Sequence, residues 1–134
     1  MTCNVAFIGL GVMGYPMAGY ISKARHNVTV FNRTKSKAEK WIKEYKGKIA
    51  ETPAEAAKDA EYIFTCVGND NDLREVTFGE NGAFKTIKKG AIYIDNTTAS
   101  AGVFAILPLY SPIHFSAFDF VLLKTVTLCP AFDI

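Results

Sequence analysis

The chain alternates short apolar runs with longer amphipathic ones. Asn4 to Ile8 (NVAFI) is a short apolar run with β-branched and aromatic residues, and it stops at Gly9, as a buried strand feeding a turn would. Val12 to Ala24 carries Met13, Met17, Tyr20, Ile21 and Ala24 at helical spacing, which predicts a helix buried on that face, and Asn27 to Phe31 (NVTVF) reads as a second strand. Lys35 to Lys46 places Ala38, Trp41, Ile42 and Tyr45 on one face and its lysines on the other, with Gly47 suited to the C-terminal cap. A short third strand is expected near Lys48 to Ala50. Thr52-Pro53-Ala54-Glu55 then has a hydroxyl cap, a first-turn proline and a glutamate three residues after the cap, starting a helix that runs to about Lys58. Tyr62 to Val67 predicts strand four, Asp70 to Phe78 a short helix and Ala91 to Asp95 strand five. Strands alternating with helices give a doubly wound α/β fold of the Rossmann type, with a parallel sheet and ligands at the carboxyl ends of its strands.

Composition narrows the reading. The 134 residues suffice for one domain, and a net charge of +2 with mixed signs argues against nucleic acid or an anionic membrane as partner. Cys3, Cys66 and Cys129 are odd in number and widely spaced, and His26 and His114 stand alone, so neither a disulfide framework nor a metal site is expected. No targeting signal is visible and a cytoplasmic location is expected. The uncharged stretch from Asn96 to Phe118 is long enough to raise a membrane span, but Pro108, Pro112 and several hydroxyl residues interrupt it.

Gly9-Leu10-Gly11-Val12-Met13-Gly14 is a GxGxxG sequence placed between a predicted strand and a predicted helix. There Gly9 makes the tight turn, Gly11 lets a pyrophosphate approach the backbone and Gly14 lets the helix pack on the strand, while the helix N-terminus attracts the phosphates. At the end of strand two, where NAD-binding folds keep a carboxylate for the adenosine ribose, the chain reads Asn32-Arg33-Thr34-Lys35-Ser36-Lys37. A guanidinium can fork onto phosphate oxygens and stack on adenine, Thr34 can donate a hydroxyl hydrogen bond, and Lys35 or Lys37 adds charge, so NADP is the expected cofactor. A methyltransferase using the loop for S-adenosylmethionine would want an acid after strand two, and Asn32 with Arg33 speaks against it.

FIGLGVMGYPMA (Phe7 to Ala18), FNRTKSK (Phe31 to Lys37), CVGNDNDLREVTFGENGAF (Cys66 to Phe84) and YIDNTTAS (Tyr93 to Ser100) resemble, in order, the N-terminal domain of the β-hydroxyacid dehydrogenases. That family includes 3-hydroxyisobutyrate dehydrogenase and the glyoxylate and succinic semialdehyde reductases; phosphogluconate dehydrogenases are similar in the first two motifs only. The resemblance implies that Val67 and Gly68 line the nicotinamide-side ribose, that Asp72 makes a further cofactor contact, that Thr98 touches the cofactor near its reactive ring and that Ser100 lies at the substrate edge. The implied reaction is hydride transfer between NADP(H) and a short hydroxy acid, or its semialdehyde or keto counterpart.

The resemblance covers about residues 4 to 101, and residues 1 to 101 are expected to form the NADP-binding Rossmann domain. Beyond Ala101 only Asp119, Lys124 and Asp133 are charged, and neither a DAPVSGG-like segment nor the family's GxxGxxxK helix with its catalytic lysine appears. Lys124 lies in VLLKTVT, which does not match that helix, so no catalytic residue is assigned. Residues 102 to 134 are expected to be an atypical apolar tail, an altered or out-of-frame continuation open to self-association. A chain without the lysine should bind cofactor and turn over poorly, acting on a small carboxylic-acid substrate only in a full-length form; a noncatalytic nucleotide-binding or interaction module is the alternative.

Overall fold

A computed structural model describes residues 1–98 and 122–124 of the chain. β1 (Asn4–Ile8) lies at the centre of the sheet, and successive residues of such a strand point to opposite faces. Val5 and Phe7 therefore enter one core with Val28, Val30, Ala18 and Trp41, while Ala6 and Ile8 enter a second with Ala57, Ile63, Phe84 and Tyr93. With both faces covered, the strand reads as an unbroken apolar run. β2 (Asn27–Phe31) and β3 (Lys48–Ile49) lie to one side of it; β4 (Tyr62–Thr65), β5 (Ile92–Asp95) and β6 (Leu122–Lys124) lie to the other. The order is β3-β2-β1-β4-β5-β6 with every pairing parallel, which is the expected doubly wound Rossmann-type fold. Register is in step about the centre: Ile8 stands between Phe31 and Thr65. The chain reverses its direction across the sheet between β1 and β4, where ligands bind in folds of this kind.

The helices are α1 (Gly14–Lys23), α2 (Lys35–Glu44), α3 (Pro53–Ala57) and α4 (Asp70–Phe78), with a 3-10 turn at Ala83–Lys85. α3 begins as its sequence dictates. Thr52 Oγ1 accepts from the Glu55 N–H at 3.0 Å, Glu55 reaches back to the Glu51 N–H at 2.7 Å, and Pro53 occupies the first turn.

Two local expectations need correction. The first helix starts at Gly14 rather than Val12, and its buried residues are Gly14, Ala18 and Gly19; Met13 and Tyr20, expected inside, are 64% and 71% exposed. Small residues bring this helix against the chain: a Cβ on Gly14 would stand 2.0 Å from the Gly9 carbonyl oxygen, and one on Gly19 would meet the Tyr45 ring. Gly47 does not cap α2 in a left-handed conformation, since among the described residues only Gly9, Gly90 and Arg25 have positive φ. It is small because Val28 and Trp41 press on it; a Cβ there would lie 2.6 Å from the Val28 carbonyl oxygen. Of the predicted tail, 102 to 134, only the backbone of β6 is described, a strand that the sequence did not suggest; Ser100 and the predicted boundary after Ala101 lie outside the described residues.

Candidate functional site

At the carboxyl ends of β1, β2 and β4 the chain leaves a cleft of about 690 Å³. One wall is the glycine loop. Gly9 has φ +101°, and a Cβ on it would stand 2.2 Å from the Cys66 carbonyl oxygen, so both conformation and contact require glycine. Gly14 is required by packing. Gly11 differs: a Cβ there would have nothing within 4 Å, and this glycine faces open cleft. That is room for a pyrophosphate to approach the main chain.

Four helices start with different charges. α3 has Glu55 in its first turn, and α4 has Asp70 and Asp72 behind an Asn69 cap that accepts from the Asp72 N–H at 2.9 Å. α1 and α2 have no acid in the first turn and no side-chain cap. The bare N-termini thus belong to the two helices that rise from the cleft beside Gly11 and Thr34, where a helix dipole favours an anion. The Gly14 N–H also faces the half-buried Cys66 thiol; burial first, then the Asp95 charge, pushes that thiol above its usual value.

Asn32 turns out to bridge. Its Oδ1 accepts from the Leu10 N–H at 2.8 Å and its Nδ2 donates to the Thr34 carbonyl at 3.0 Å, tying the glycine loop to the end of β2. Arg33 Nη1 donates to Asp72 Oδ1 across the cleft at 2.8 Å. Lys35 pairs with Glu51 at 2.6 Å. The Lys37 side chain has neither a hydrogen bond nor an ion pair, and the Thr34 hydroxyl has no partner, among the described residues.

Most of the residues singled out from sequence line this one cleft: Gly9, Gly11, Val12 and Met13 from the loop, Asn32, Arg33, Thr34 and Lys37 after β2, and Val67, Gly68 and Asp72 after β4. Gly14 lies beneath the loop. Leu10 points away, 2% exposed in the core, with its N–H already bonded to Asn32. Thr98 is exposed and outside the cleft wall, and Ser100 lies outside the described residues.

Sequence reasoning missed two features. Phe31, Pro53 and Val76 form an apolar part of the wall. Beneath the far end, Thr65 Oγ1 meets Tyr93 OH at 2.8 Å and donates to Asp95 Oδ1 at 2.7 Å, the Thr97 N–H donates to the same oxygen, and the Val67 N–H donates to Thr97 Oγ1. The signal was available: Tyr93, Asp95 and Thr97 alternate along one face, and Thr65 pairs in register with Asp95.

A parallel sheet that reverses beside an open glycine loop, with two uncapped helix N-termini at one cleft, defines a dinucleotide-binding α/β domain. Residues 4–104 match the family described as the NAD binding domain of 6-phosphogluconate dehydrogenase, and the chain belongs to that family. It is 52% identical over 117 residues to an uncharacterised oxidoreductase of Shewanella frigidimarina (strain NCIMB 400), covering 87% of this chain and 40% of that protein. It is 40% identical over 94 residues to the 3-sulfolactaldehyde reductase of Escherichia coli (strain K12), covering 70% and 31%. In fold it resembles the Mycobacterium tuberculosis 3-hydroxyisobutyrate dehydrogenase, with a TM-score of 0.73 at 21% identity over 91% of this chain and 39% of that one. The expected resemblance to 3-hydroxyisobutyrate dehydrogenase-like oxidoreductases is borne out, and the chain spans 40% or less of the length of these relatives. No helix among the described residues is long and apolar enough to cross a membrane.

Proposed function

We propose that the chain is the NADP(H)-holding portion of a β-hydroxyacid dehydrogenase-type oxidoreductase. Gly11 and the N-terminus of α1 would receive the pyrophosphate, and Thr34, Lys37 and Arg33 at the start of α2 the 2′-phosphate. One observation carries the cofactor preference: the α2 N-terminus has no acid and no cap, and it presents an unpartnered hydroxyl, an unpartnered ammonium and a guanidinium to the cleft. A carboxylate for an unphosphorylated ribose is missing there, and Asn32 is taken up by the chain's own loops. Bound NADP(H) would supply the hydride; the chain's residues bind and orient it. The substrate class, a short aldehyde or keto acid with an anionic group, follows from the similarity to the 3-sulfolactaldehyde reductase and from the motif Tyr93 to Ser100.

Titrating NADPH and NADH into the protein and into Arg33→Ala tests the cofactor preference. A charged phosphate contact contributes roughly 1.5–3 kcal/mol, so Arg33→Ala should weaken NADPH about tenfold or more and leave NADH nearly unchanged. Equal binding of the two nucleotides by the unaltered protein would overturn the assignment.

A further inference from the structure

Arg33 and Asp72 stand on opposite walls of the cleft, and the structure joins them. The two partners are held unequally. The Asp72 carboxylate is 21% exposed; its Oδ2 accepts a second hydrogen bond from Asn69 Nδ2 at 3.1 Å, and its residue is fixed in the first turn of α4 by the Asn69 cap. The Arg33 side chain is 75% exposed and has no other hydrogen bond among the described residues. The carboxylate is a fixed post and the guanidinium a movable arm. Lys35 repeats the pattern with Glu51, which also lines the cleft, so two of the three cations after β2 are already paired with a carboxylate, and Lys37 is not.

We infer that Asp72 sets nucleotide specificity by acting through Arg33, resting on the NADP(H) reading above: it holds the guanidinium while the adenosine end of the cleft is empty and yields it to a 2′-phosphate. An exposed ion pair is weak in water, whereas guanidinium and phosphate form charge-assisted, forked hydrogen bonds, so the exchange runs toward the phosphate. Asp72 nevertheless opposes it as the partner that the phosphate has to displace from the guanidinium. A nucleotide without a 2′-phosphate has nothing to exchange and leaves the pair closed. Asp72 is thus a positioning residue that lowers the affinity for 2′-phosphorylated nucleotides selectively.

Adenosine 2′,5′-bisphosphate and adenosine 5′-monophosphate read this end of the cleft without nicotinamide or substrate. Calorimetric titration of both into the whole chain and into Asp72→Asn should show the bisphosphate bound about two- to fivefold more tightly by the variant at low salt, the gain shrinking near physiological ionic strength. The monophosphate should be unaffected. The carboxamide in Asp72→Asn keeps an acceptor for Asn69 Nδ2, and Asp72→Ser, suited to a helix start, should give the same gain if the asparagine variant folds poorly. In an Arg33→Ala background Asp72→Asn should change nothing, because the effect passes through the guanidinium. If the protein prefers the bisphosphate through Arg33 but Asp72→Asn weakens it, leaves it unchanged, or strengthens it equally without Arg33, the exchange is wrong and the cofactor preference stands. If the protein binds the two probes equally and Arg33→Ala alters neither, the NADP(H) assignment falls and the exchange falls with it.

Discussion

Asn32 bonds at both ends of its carboxamide, so the glycine loop and the end of β2 are held as one piece. Replacing it with aspartate keeps an acceptor for the Leu10 N–H, loses the donor to the Thr34 carbonyl, and puts a negative charge where a 2′-phosphate would come. Asn32→Asp is expected to weaken NADPH by roughly tenfold or more while retaining NADH, as an ordinary like-charge contact implies. Competitive titration of the two nucleotides against the variant checks this; unchanged discrimination would mean that the phosphate lies elsewhere. From sequence, Asn32 was visible only as a missing carboxylate. Its bridging role depends on Leu10, 22 positions earlier, and on a loop conformation that spacing does not encode. The partner of Arg33 was equally hidden, since Asp72 lies 39 residues away and meets it only when the sheet is assembled.

Elements that bury large side chains are legible as patterns, and α3, which buries Pro53, Ala56 and Ala57, is legible through its cap, whereas the uncapped α1 with its small buried residues is legible only in part. β1, β2 and β4 announce themselves as apolar runs, and α2 as a stripe ending in Trp41 and Tyr45. The periodicity starts α1 too early and counts exposed Met13, Tyr20 and Ala24 into a face of which Met17 and Ile21 do pack on the core, because the buried Gly14, Ala18 and Gly19 are silent in any count of hydrophobic periodicity. Polar pairing between strands is silent in the same way, and β4 and β5 share such a pairing. Tyr93 is fully buried; burial first, then the Asp95 charge, holds its phenol well above 10.0, opposed by the Thr65 hydrogen bond. An unfolded tyrosine ionises near 10 while this one stays neutral, so its contribution is intact below that pH and is lost as pH rises from there toward the folded value, at about 1.4 kcal/mol per pH unit. Tyr15, pushed up to about 12, and Tyr45 shift the same way, by desolvation first and then by the Glu44 hydrogen bond, but at the surface, where solvent screens their effect on stability. Denaturant unfolding at pH 8 to roughly 11 should therefore show stability declining above about 10, with Tyr93→Phe about 1 kcal/mol less stable at neutral pH and declining less steeply. A variant with the unaltered slope would mean that the phenol ionises in the folded protein.

For the whole molecule, the fold and the cleft are those of a dinucleotide-binding domain, and the chain spans 40% or less of the relatives compared above. The matched motifs do not include the lysine that the resemblance makes the general acid for the oxyanion that receives hydride, so we propose binding without turnover. Mixing the protein with a single equivalent of NADPH and excess succinic semialdehyde or glyoxylate should leave the nicotinamide absorbance unchanged over a time in which a related full-length enzyme would exhaust it. Oxidation in a single turnover would show that the chain carries its own acid.

The three glycines of the loop also differ in what obliges them. Gly9 and Gly14 answer to the polypeptide itself, one through its backbone angle and one through a neighbouring carbonyl; any chain with this fold would need them, with or without a ligand. Gly11 answers to nothing inside the molecule, since a methyl group there would project into empty cleft without disturbing a single atom. Packing gives no reason to keep that position bare, and we propose that the obligation is the pyrophosphate's. Of the three, Gly11 alone keeps room that the chain itself does not use.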